Sequence, residues 1–265
     1  MVFVNTASGD FSSALGGRNN TASGYYSQAL GGRENTASGN YSSVTGGKNN
    51  AASGVYSSVL GGKSNTASGV YSSASGYYNV ACGNYSQALG GFCNTASGDF
   101  SSASGYYNVA CGNYSQALGG LQNTASGIYG SILGGRQNTA SGCFTTLSGY
   151  KNTASGGLSS VLGGFCNTAS GNSSVVGGRL NTASGNKSWI LNGNGNTASG
   201  EYSVILNGFS NIAACCMSFI AGCGITADRI KTLFVNNLSI KSIPTSAVGL
   251  PAGSVYSLSG VLNIV

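Results

Sequence analysis

Small apolar and polar residues alternate with period two through short stretches of this chain, and the stretches recur in phase. One unit reads Asn-Thr-Ala-Ser-Gly-x-Tyr-Ser-x-Ala-Leu-Gly-Gly-x-x. Alternation with period two is the signature of a strand, and the Gly that closes each half-unit supplies a turn. The Asn-Thr-Ala-Ser-Gly block begins at Asn5, Asn20, Asn35, Asn65, Asn94, Asn123, Asn138, Asn152, Asn167, Asn181 and Asn196, with variants at Asn50, Asn79, Asn108 and, degraded, Asn211. The spacing is always 14 or 15 residues. That is too short for a helical hairpin and suits one coil of a parallel β-solenoid with two short strands. The pattern therefore predicts an all-β chain: a β-roll shaft over residues 1–210, then a transition and a small C-terminal β cap over 211–265.

Stacked coils lie about 4.8 Å apart. The inward positions should be Asn, Ala and Gly from the first strand, and Ser and Ala from the second. Stacked Asn side chains can ladder along the axis. Units of 14 and 15 differ by one Gly at a corner, read as a bulge that leaves the strands in register. The outward face of the second strand is expected to carry Phe11, Tyr26, Tyr41, Tyr56, Tyr71, Tyr85, Phe100, Tyr114, Tyr129 and Phe144. Four residues on, the same face holds Leu15, Leu30, Leu60, Leu89, Leu118, Leu133 and Leu162. An apolar stripe of that length exceeds the patch a soluble monomer normally exposes. It is expected to be the interface of a homotrimer; the other reading is an aromatic ladder on an open surface.

Composition removes most chemistry. There is no His, and the five acids Asp10, Glu34, Asp99, Glu201 and Asp228 are far apart in sequence. No catalytic residue, cofactor or metal site is expected. Cys82 and Cys111 fall two coils apart, about 9.6 Å, beyond disulfide reach. The other Cys are Cys93, Cys143, Cys166, Cys215, Cys216 and Cys223, and all eight are expected to be free thiols. A net charge of +6 without a dense basic patch predicts no nucleic-acid partner. Met1-Val2-Phe3-Val4 runs straight into the first repeat, so no leader is expected, and no apolar run approaches the roughly 18 residues of a membrane helix, so no membrane insertion is expected.

Two rows invite a binding function. Arg18, Arg33, Lys48 and Lys63 share a corner column, a candidate contact for an anionic ligand such as a host surface glycan, or simply a solubilising edge. Thr6 with Ser8, Thr21 with Ser23, and Thr36 with Ser38 form hydroxyl rows of the kind that can match ice. Those rows are interrupted by Ala51, Val80, Cys82, Val109 and Cys111.

The pattern Ala22-Ser23-Gly24-Tyr25-Tyr26-Ser27-Gln28-Ala29-Leu30-Gly31, running on to Asn35, resembles the head repeats of YadA-like, haemagglutinin-type trimeric autotransporter adhesins over residues 5–210. That resemblance implies a left-handed parallel β-roll trimer. The tail, with Ile243-Pro244-Thr245-Ser246, Gly249-Leu250-Pro251-Ala252-Gly253 and a final Leu262-Asn263-Ile264-Val265, resembles the ends of virion structural proteins of tailed phages, cyanophages among them. The two resemblances together imply a non-enzymatic phage fibre. It would be a rigid trimeric spacer in the virion, assembled in the host cytoplasm and contacting other virion proteins. Two alternatives stay open: an adhesin head on a bacterial surface and an ice-binding solenoid.

Overall fold

The computed structural model describes residues 4–237 and, beyond them, 245–246, 248–249, 251–252, 254–258 and 261–264. It is an all-β parallel solenoid, with no helix among the described residues. The first strands of the coils, from Thr6–Ala7 to Ile212–Ala213, form one 15-stranded sheet. The second strands, from Ser13–Ala14 to Phe219–Ala221, form the other sheet, which ends on Leu233–Val235 as its sixteenth strand. A third ladder of single-residue bridges runs along one corner, from Arg18↔Arg33 to Asn194↔Phe209. The degraded unit at Asn211 stacks like the others, with Ile205 against Ile220.

Each inward column follows from its residue type. The Ala columns are fully buried from Ala22 onward, and the second widens through Val44, Ile132, Leu147, Ile190, Ile205 and Ile220. Ala alone buries little apolar area, so much of the cohesion comes from the Asn column. Asn138 is representative. Its Oδ1 accepts from the Asn152 N–H at 3.0 Å, and its Nδ2 donates to Gly134 O at 3.1 Å and Gly149 O at 2.7 Å. Removing that amide leaves the buried Asn152 N–H without its acceptor and the half-buried Gly134 O without its donor, while Gly149 O keeps the Arg136 N–H at 2.9 Å. Asn138→Ala should therefore cost about 2–4 kcal/mol. Because coils touch only their neighbours, hydrogen exchange should show protection lost first at the Asn152 amide.

The strands and the corner ladder donate forward along the rod, and the left-handed turn residues donate backward. Thr21 N–H reaches Asn35 O of the next coil, whereas Tyr26 N–H reaches Asp10 O of the preceding one. Reversing the N–H direction requires a left-handed residue, and each regular coil places one at both turns, as at Tyr26 (φ 53) and Glu34 (φ 57). Such a conformation costs a non-Gly residue about 1–2 kcal/mol. At the first turn, ring stacking offsets part of that cost.

Coils of 14 and 15 residues pair without slippage in the first sheet, as Thr66 with Val80 and Val80 with Thr95. The extra residue is absorbed beside the corner Gly, where the second sheet shifts register between Ser75 and Tyr77. This bears out the expected corner bulge.

The chain divides into two compact units, Met1–Phe234 and Val235–Val265. Within the second, Val255–Leu258 and Val261–Ile264 pair antiparallel, with Val255 opposite Ile264. Of the tail positions read from sequence, residues 238–244 with Pro244, and Ala247, Leu250, Gly253, Gly260 and Val265, lie outside the described residues.

Candidate functional site

The aromatic column is not on the second strand. Phe11, Tyr26, Tyr41, Tyr56, Tyr71, Tyr85, Phe100, Tyr114, Tyr129 and Phe144 all sit at the turn before it, at φ 53–58. Period-two reasoning carried the strand two residues too far back, because the left-handed turn reverses the side-chain sense. There the rings stack in an almost parallel ladder, as between Tyr56 and Tyr71 at 4.7 Å and Tyr85 and Phe100 at 4.7 Å. The Leu column, by contrast, does project from the outer side of the second sheet, with Leu15 and Leu60 well exposed. The two columns are thus adjacent but do not share one strand face.

Arg18, Arg33, Lys48 and Lys63 align in the corner ladder. Arg33 is paired with Glu34 at 2.7 Å; the guanidinium hydrogen bond holds the Glu34 carboxyl below its ordinary range. Lys63 donates to Tyr77 Oη at 3.1 Å, which raises its ammonium. The column then turns to Tyr77, Phe92, Tyr106 and Leu121, so the charged row is local. All eight Cys are free thiols, and no cluster among the described residues would hold a metal ion.

The first sheet presents the most regular surface. Its outward positions are the Thr column, from Thr6 to Thr197, and the Ser column two residues on, from Ser8 to Ser199. The backbone bonds that set the coil spacing hardly vary. Thr-column N–H groups reach the next Asn carbonyl at 2.8–2.9 Å, and Ser-column N–H groups reach the next Ala carbonyl at 2.8–3.0 Å. Coils bearing Val80, Cys82, Val109 or Cys111 fall within the same limits. These residues leave the lattice intact because Val copies the branched shape of Thr, and Cys copies the reach of Ser. Only Ala51 removes a branch within the run from Thr21 to Thr197.

The face is therefore a two-column grid with rows about 4.8 Å apart and columns about 6.7 Å apart. Its Thr and Ser hydroxyls make no side-chain hydrogen bond within the chain among the described residues, and neither column contains a charged residue. Thr is stiff at χ1, and the Asn and aromatic ladders oppose sheet twist. The second sheet offers no such grid: its outward positions range from Ser and Gln to Trp189 and Phe219.

A sequence model of the grass antifreeze beta roll matches residues 28–119 and 102–190, more than half of the chain. The chain belongs to the grass antifreeze beta-roll family. No curated protein matches it. The family is one of binding β-rolls and not of catalysts. Membership overturns the resemblance to trimeric adhesin heads and phage structural proteins, and with it the expected phage fibre and the adhesin alternative. The physical reason is that the Ala-x-Gly and Asn spacing that carried the resemblance is dictated by the interior of a short coil, so it specifies the β-roll and not one family of β-rolls.

Proposed function

We propose that this chain is a non-enzymatic ice-binding protein whose contact surface is the Thr/Ser face of the first sheet. The observation that carries this is the unbroken register of that sheet across coils of unequal length, which keeps two hydroxyl columns on a fixed grid. Spacings of this order recur among the oxygen layers of hexagonal ice. Each row adds a weak contact, and rigid linkage makes the rows act together. The hydroxyls anchor water, the Thr and Val methyls order it between them, and little side-chain entropy is lost on contact because the face is already fixed. Membership in an antifreeze family supports the same reading.

The test is direct. The purified protein should arrest growth of a single ice crystal below its melting point and facet it, and a fluorescently labelled sample should concentrate on the crystal surface. Growth without arrest, together with exclusion of the label from ice, would refute the proposal.

Self-association along the Phe/Tyr and Leu columns is kept as a separate proposal, supported by their exposure in the single chain. The mass of the native assembly by sedimentation decides it.

A further inference from the structure

The stacked ladder of rings ends at Phe144. The next rungs of that column are Leu158, Ser173 and Lys187, and the column regains a ring only at Tyr202. The small Ser173 opens a gap in it. A cavity of about 480 Å³ lies there, lined by Ser173, Lys187, Trp189, Tyr202 and Val204, within the roughly 300–1,000 Å³ span of small-molecule sites. Trp189 is the one tryptophan of the chain. It is 47% exposed, and no ring partners it among the described residues.

The polar rim is organised. Lys187 Nζ donates to Tyr202 Oη at 2.8 Å and lies 4.7 Å from the centre of the Tyr202 ring. The contact with Tyr202 keeps the ammonium charged above its ordinary range, and Glu201 adds to this from nearby. Two fixed features then define a ligand. Trp189 and Val204 offer an apolar wall, and Lys187, Tyr202 and Ser173 offer hydrogen-bonding groups at its edge. Lys187 disfavours a cation and Glu201 disfavours an anion. A neutral ring with two C–H faces and hydroxyls around its equator satisfies both features.

We propose that this cavity is a carbohydrate site, taking a neutral pyranose with equatorial hydroxyls stacked on Trp189, with Lys187 donating to a ring hydroxyl. The site lies off the first sheet and is independent of ice binding. The probe is cellotetraose, titrated into the whole protein while fluorescence is excited at the red edge, where Trp189 absorbs and tyrosine does not.

The expected result is a saturable shift in emission with Kd of about 1 mM. Calorimetry should show Trp189→Ala at least about tenfold weaker and Lys187→Gln weaker to a smaller degree, with an unchanged thermal melt in both as proof of an intact fold. Absence of a saturable shift up to the solubility of the sugar would overturn the site. So would undiminished binding to folded Trp189→Ala, which would place the sugar elsewhere.

Discussion

Thr153→Tyr should reduce ice-growth arrest by about an order of magnitude, because rows that engage together lose their joint affinity when geometry forbids simultaneous contact. Thr153 lies inside the longest uninterrupted stretch of the grid, from Thr124 with Ser126 to Thr197 with Ser199. A phenol there stands above its neighbours and holds the flanking rows away from a flat crystal. Tyr is well accepted in strands, and the inward Ala154 is untouched, so the melting curve should not move. Ser160→Tyr is the matched control, since the same coil carries Ser160 on the second sheet; it should leave arrest intact. Equal loss in both variants would show that the Thr/Ser face is not the contact surface.

Gly127→Ala should disrupt the middle of the shaft. Gly127 does not need its glycine for a positive φ; it needs it for proximity. An added Cβ would lie 2.0 Å from Gly142 O and 2.6 Å from its carbon, both backbone atoms of the next coil. Two coils cannot part locally without breaking the hydrogen bonds of both sheets on either side. The clash exceeds ordinary overpacking, which costs about 1–3 kcal/mol, and the variant should lose the cooperative melt of the central shaft or fail to accumulate in soluble form. Gly46→Ala is the comparison: an added Cβ there meets nothing within 4 Å, and its melt should match that of the parent. A normal melt for Gly127→Ala would mean that the stacking distance is looser than the register implies.

Much of this architecture was legible beforehand because a short coil leaves few choices. Asn, Ala and Gly in strict phase had to point inward, and the corner Gly had to absorb the difference between 14 and 15 residues. The aromatic column was misplaced for a local reason: alternation holds only while the backbone stays extended, and Tyr26 is left-handed. The Thr/Ser rows are legible in the sequence, with interruptions at Val80, Cys82, Val109 and Cys111. Judged by functional group those positions are breaks; judged by volume and branching they continue the row. The gap at Ser173 was invisible, since it depends on which side chains flank a missing rung.

The uniform stacking distance has an evolutionary consequence. Residues 73–91 recur identically as residues 102–120, so at least one pair of coils has been copied in place. Since a coil's contour is adjusted away from the Thr/Ser side, each such copy inherits a pitch already fixed by the peptide backbone. The Thr/Ser face of this protein can therefore lengthen or shrink in whole steps, with no need for compensating substitutions elsewhere.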